Sequence, residues 1–128
     1  MKNFFLFVIS FSFCGCSLNY DTSYFITNRT SDTLTFTFFN HEPDTLRIKV
    51  KPFSDYLFLR LNGFGFGASQ MSLDYNDSIF VEKNEKKIHY YRDDETKNEI
   101  YILDNWELTK ALKTIYEYKY TLEDSDFN

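Results

Sequence analysis

Polar and apolar residues alternate with a period of two over most of this chain. In Thr33-Leu34-Thr35-Phe36-Thr37-Phe38 the apolar Leu34, Phe36 and Phe38 share one side and the threonines take the other. Leu46-Arg47-Ile48-Lys49-Val50-Lys51 divides the same way, with three cations outward. Such alternation is the mark of a half-buried strand, because successive side chains leave a strand on opposite faces. Five further runs follow it. Ser23 to Asn28 puts Tyr24 with Ile26, Asp55 to Leu61 groups Leu57, Leu59 and Leu61, and Asp77 to Lys83 groups Ile79 and Val81. Lys87 to Arg92 groups Ile88 and Tyr90, and Thr114 to Leu122 puts Tyr116, Tyr118, Tyr120 and Leu122 on one face. Turn-forming stretches separate the runs: Asn28-Arg29-Thr30-Ser31-Asp32, Asn40-His41-Glu42-Pro43-Asp44, Pro52-Phe53-Ser54-Asp55 and Glu82-Lys83-Asn84-Glu85-Lys86.

Short strands at spacings of about 8–12 residues predict an all-β domain. The expected architecture is a small antiparallel two-sheet sandwich, immunoglobulin-like or related, with seven or eight strands. The expected interior is Leu34, Phe36, Phe38, Leu46, Ile48, Val50, Leu57, Leu59, Tyr116 and Tyr118. One segment departs from the period. Asp104-Asn105-Trp106-Glu107 has the form of a capping box, and Leu108, Ala111 and Leu112 follow at helical spacing. It predicts one short helix over about 105–113.

The N-terminus is of another kind. Lys2 precedes an apolar stretch from Phe4 to Phe13, followed by Cys14-Gly15-Cys16 and then polar residues. About ten apolar residues are too few for a spanning helix, which needs about 20; a cleaved export leader fits. Phe13-Cys14-Gly15-Cys16 resembles a lipobox, the motif that ends in the acylated cysteine of bacterial lipoproteins. Gly15 is the small residue such a cut requires; Phe13 and Cys14 stand where the motif usually has an aliphatic and a small residue. Cys14 is the competing site, with the bulky Phe13 before its cut, and a soluble secreted product is the competing outcome.

The chain thus resembles a small outer-membrane lipoprotein of Bacteroidota type, of unknown molecular function. The resemblance implies lipidation of Cys16, with palmitate-type acyl chains in the bilayer. It also implies the outer membrane, because Ser17 stands where Asp would favour inner-membrane retention. Periplasmic and surface faces both remain open. The expected organisation is a leader at 1–15, lipidated cysteine and tether at 16–22, sandwich at 23–122 and an acidic tail at 123–128.

Composition narrows the chemistry. Without the leader the chain keeps 113 residues, enough for one core-forming domain. The leader holds one Lys and no acid, so 13 cations then face 19 acids, a net charge of −6. That balance argues against nucleic acid. With Cys14 removed, Cys16 is the one cysteine left, so disulfides, thiolate metal sites and cysteine catalysis are not expected. Aromatic residues make up 20% of the sequence, an amount that suits pleated, half-buried surfaces.

No motif calls for a cofactor. Gly63-Phe64-Gly65-Phe66-Gly67-Ala68 lacks the βαβ setting of a phosphate loop. Asp74-Tyr75-Asn76-Asp77 opens like a calcium loop but has Ile79 where the glycine belongs. His41-Glu42-Pro43-Asp44 offers metal-ligand types in one turn, but His89 is the only other imidazole, and alternation sends it toward solvent. No nucleophile elbow occurs, so a non-enzymatic structural or binding-accessory role is expected. The competing expectation is a glycan- or peptide-binding module that uses exposed aromatics: Phe64, Phe66, Tyr75, Tyr91 and Trp106. Asp32-Thr33-Leu34, Asp44-Thr45-Leu46 and Asp77-Ser78-Ile79 resemble the O-glycosylation acceptor of the same bacteria, which implies Thr33, Thr45 and Ser78 as acceptors; ordinary turn chemistry explains the pattern equally.

Overall fold

The structure is a computed structural model that describes residues 19–39, 45–64 and 77–128. It is an all-β sandwich of two four-stranded sheets. The strands are β1 (Asn19–Asn28), β2 (Leu34–Phe39), β3 (Thr45–Val50), β4 (Ser54–Phe64), β5 (Ser78–Lys83), β6 (Lys86–Tyr91), β7 (Glu107–Leu112) and β8 (Ile115–Leu122). One sheet runs β4-β1-β8-β7 and the other β3-β2-β5-β6. All pairings are antiparallel except β1 with β8, which run parallel from Asp21 opposite Ile115 to Asn28 opposite Leu122.

The period-two runs become strands with the expected inward faces. Tyr24, Ile26, Leu34, Phe36, Phe38, Val50, Ile79, Val81, Tyr90 and Leu122 are buried. Of the expected interior, Ile48, Leu59, Tyr116 and Tyr118 are half-buried, and two residues are exposed. Leu46 lies exposed on β3, an edge strand with only its last residue buried. Leu57 is exposed because β4 carries a bulge: Tyr24 pairs with Leu59 and Phe25 with Leu57, so Phe58 is the extra residue. A bulge resets the face on which following side chains point. Phe58 therefore packs on the core, and Leu57 shares the outer face with Phe25.

The expected helix over 105–113 does not form. Its residues become the edge strand β7, paired with β8 from Leu112↔Ile115 to Glu107↔Lys119, with Thr109 as a bulge. Of the capping-box residues, Asp104 and Asn105 belong instead to a tight 3₁₀ turn, Leu103–Asn105, Trp106 follows it, and Glu107 opens β7. Glu-Leu-Thr-Lys-Ala-Leu favours helix by local propensity. The open hydrogen-bonding edge of β8 outweighs that, and Trp106, drawn into the core with extended backbone (φ −96°, ψ 131°), sets the strand direction. β7 is thus the strand that the seven period-two runs do not include.

Both termini of the domain are more ordered than the sequence implies. β1 begins at Asn19, inside the stretch expected to be tether. The acidic 123–128 segment folds back as a 3₁₀ turn, Asp124–Phe127, closed by reciprocal Glu123 and Asp126 capping bonds. Phe127 is buried there, and Lys83 holds Asp124 and lies 5.6 Å from the Phe127 ring centroid.

The space between the sheets is filled by rings that meet at Trp106, which is 4% exposed. Its indole lies edge-on to Tyr24 at 5.8 Å, 5.4 Å from Tyr120 and 6.2 Å from Phe58. Tyr24 stacks on Tyr118 at 5.3 Å, and Phe58 stacks on Phe38 of the opposite sheet at 5.4 Å. The indole N–H donates to the Ile100 carbonyl at 2.8 Å. Truncating such a residue removes three ring contacts with one sheet and the support of Phe58, which packs on the other. Trp106→Ala is expected to lower stability by about 3–5 kcal/mol, while Trp106→Phe keeps a ring, loses the hydrogen bond and costs about 1–2 kcal/mol. Urea unfolding of the two variants against the parent measures both.

Candidate functional site

Three surfaces bring chemistry-bearing side chains together. The first is the solvent side of the β3-β2-β5-β6 sheet. Inward Ile79 and Val81 leave Phe80 outward, and inward Phe36 and Phe38 leave Phe39 outward. Phe39 and Phe80 lie 4.8 Å apart, His89 stacks on Phe80 at 4.1 Å, and Tyr91 meets both Phe80 and His89 edge-on. Lys97 Nζ sits 5.7 Å from the Tyr91 ring centroid. All four rings are half-buried, so His89 is on the outward side as expected but covered by ring contact rather than solvated.

The second is a cleft of about 530 Å³ lined by Lys87, His89, Tyr90, Glu99, Tyr120 and Asp126, among others. The Tyr120 hydroxyl donates to the Tyr90 hydroxyl at 3.3 Å. Burial pushes both phenols above their ordinary acidity range, so neither supplies a phenolate near neutral pH. The cleft can hold a polar molecule. Among the described residues no three His, Cys, Asp or Glu side chains form a group that could hold a metal ion.

The third is a smaller hollow of about 210 Å³ lined by Thr27, Asn28, Arg29, Phe53, Asp55 and Lys119. It lies at the end where β1 finishes. Phe53 is 73% exposed with φ 53°, a left-handed conformation uncommon for a bulky residue. Asp55 accepts from Lys119 Nζ and Thr27 Oγ1, each at 2.7 Å. Asn28 is fully buried behind it. Its Nδ2 lies within 3.1 Å of the Asp32, Val50 and Lys51 carbonyls, and its Oδ1 accepts from the Thr30 N–H and hydroxyl.

The residues singled out from sequence fare differently. Tyr91 belongs to the outer ring cluster. Trp106 does not serve as a surface contact: a lone tryptophan next to a turn is drawn into the core because its large apolar ring gains most from leaving water and its N–H finds a buried carbonyl. Phe66 and Tyr75 lie outside the described residues, as do the side chain of Phe64 and the whole of Cys16. Thr33 is exposed just before β2 and Thr45 is exposed at the start of β3, whereas Ser78 is buried at the start of β5. The cluster members missed in the sequence are Phe39, Phe80 and His89. Their signal was available: they are ring-bearing residues standing in the outward phase of the alternation.

No protein-family model, curated protein or solved structure matches the chain. Among the described residues, no helix is long and apolar enough to cross a membrane.

The Asp55 contact has a definite pH signature. The Lys119 hydrogen bond, helped by Thr27, holds the Asp55 carboxyl below its ordinary range against the opposing effect of burial. A carboxyl with a depressed native value binds fewer protons folded than unfolded. Its stabilisation is therefore fully present above the ordinary aspartate value of about 4 and fades as pH falls through the lower native value. Asp55→Asn is expected to cost at most about 1 kcal/mol near neutrality, because the pair is partly solvated. Its deficit against the parent should shrink in acid; urea midpoints measured from neutral to strongly acidic pH test this.

Proposed function

We propose that this chain is a membrane-anchored lipoprotein of the cell envelope, held in the outer membrane through acylated Cys16, with a non-enzymatic structural or binding-accessory role. The observation that carries this reading is the leader itself: Lys2, a short apolar core, Gly15 and Cys16, followed within three residues by an ordered domain at Asn19. A bilayer anchor of this kind needs two or more acyl chains for stable attachment, which a lipoprotein cysteine supplies. The absence of a spanning helix among the described residues is compatible with such an anchor. Intact-mass measurement of membrane-extracted protein is expected to show a chain that begins at Cys16 and carries acyl mass. Cys16→Ala is expected to move the protein from the membrane fraction to the soluble fraction or to leave it unprocessed. Unchanged membrane attachment and unchanged mass would reject the anchor.

The outer ring cluster favours a second reading in which the domain also recognises a glycan or peptide. Phe39, Phe80, His89 and Tyr91 stand on a solvent-facing sheet, where alternation would ordinarily place polar residues. Rings in that position can stack on the flat face of a sugar or a peptide side chain. Calorimetric titration with soluble peptidoglycan fragments is expected to show binding that Phe80→Ala weakens about five-fold, the equivalent of about 1 kcal/mol of ring stacking. A parent domain that gives no heat with these fragments removes glycan recognition from the account.

A further inference from the structure

The parallel pairing of the first and last strands decides what lies beside the anchor. Asp21 of β1 stands opposite Ile115 of β8, and the Asp21 N–H donates to the Thr114 carbonyl at 2.8 Å. Asn19, two residues before Asp21, is therefore level with the Lys113-Thr114 turn that joins β7 to β8. Cys16 precedes Asn19 by three residues, and covalent geometry limits that separation to about 11 Å. Whatever surface receives the acyl chains is thus brought to the apex of the β7–β8 hairpin.

That apex has the chemistry of a membrane contact. Leu112 is 58% exposed and Ile115 42% exposed, and the two stand directly opposite each other. An exposed aliphatic pair at a hairpin tip leaves apolar area in water that burial would favour by about 25 cal/mol per Å². Lys113 is the only charge within Leu112–Ile115, a cation at the tip of a chain whose net charge is −5. Its backbone is held at φ 55°, in the turn between the two aliphatic residues. Tyr116, half-buried and 5.9 Å from the buried Tyr20 ring, stands one residue behind Ile115. A pair of aliphatic side chains, an adjacent lysine and a tyrosine behind them is the arrangement that settles at the boundary between headgroups and acyl chains.

We propose that the β7–β8 hairpin apex is a second membrane contact, with Leu112 and Ile115 inserted among lipid headgroups and Lys113 beside their phosphates. This rests on acylation of Cys16 as proposed above. Lipid attachment and hairpin together fix the orientation of the sandwich. The end bearing Asn19 faces the bilayer, and the end bearing Phe53 and the Asn28 turn points away.

The test uses the full, exported and acylated protein carrying Leu112→Cys, labelled with a polarity-sensitive dye and reconstituted into vesicles of phosphatidylethanolamine and phosphatidylglycerol. A matched Phe53→Cys protein reports the far end. Acylation is verified by intact mass on the same samples. The expected result is a blue shift and several-fold stronger quenching by lipid-borne quenchers at position 112 than at position 53. Equal, water-like emission at both positions in acylated protein overturns the hairpin contact and leaves the anchor standing. An unacylated, soluble product overturns the anchor reading and this proposal with it. A dye at 112 already shielded without vesicles assigns the apex to a second copy of the chain and likewise overturns the membrane contact.

Discussion

The sandwich depends on one indole. Trp106 touches Tyr24 of β1, Tyr120 of β8 and Phe58 of β4, and through Phe58 it reaches Phe38 of the opposite sheet. Two sheets packed face to face leave a gap of about 10 Å that side chains must fill. Here rings fill much of it, and offset or edge-to-face pairs add about 0.5–1.5 kcal/mol each beyond area burial. The indole is locked by its bond to Ile100, in the turn-rich segment that carries the chain from β6 in one sheet to β7 in the other. A residue outside every strand thus determines how the two sheets meet.

Polar side chains tie the end where β1 finishes. Asn28 satisfies carbonyls from the β1–β2 turn and from the end of β3, so a buried amide replaces backbone partners the turn cannot provide. Burying an amide is tolerable only when its donors and acceptor are matched, and this one meets five partners. The same burial argues on physical grounds against glycan attachment at Asn28, although Asn28-Arg29-Thr30 has the form of a sequon. The C-terminal turn closes the same neighbourhood, with Lys83 bridging Asp32 and Asp124.

Seven strands and their inward faces were legible in the sequence because period-two alternation reports burial directly. Leu34, Phe36 and Phe38 show this on β2, as do Ile79 and Val81 on β5. Alternation fails at Leu57, since a bulge is set by pairing with β1 and leaves no trace in the pattern itself. It fails at Leu46 because, among the described residues, nothing covers that part of the edge strand β3. The segment from Asp104 to Leu112 misled because its local propensity and its tertiary fate conflict, and only the unpaired edge of β8 decides between them. The same conflict hid Trp106, which a helical reading leaves near solvent. The outer cluster of Phe39, Phe80, His89 and Tyr91 was readable in part: alternation gives each residue its face, but cross-strand register is needed to bring them together. The proposed anchor rests on Lys2, Gly15 and Cys16, which lie outside the described residues and whose signal is a leader pattern rather than strand alternation.

The central seam of one sheet joins the beginning of the chain to its end. A polypeptide delivered N-terminus first, from a ribosome or through a narrow pore, presents β1 long before β8 exists. Until then β1 has only β4 beside it, and Tyr24 lacks its Tyr118 partner. Closing so long a loop is entropically slow, and contacts this distant in sequence delay folding. The β4-β1-β8-β7 sheet is therefore completed late in delivery, and a truncation that removes β8 leaves β4 and β1 as a pair and β7 without a neighbouring strand, while the β3-β2-β5-β6 order is untouched.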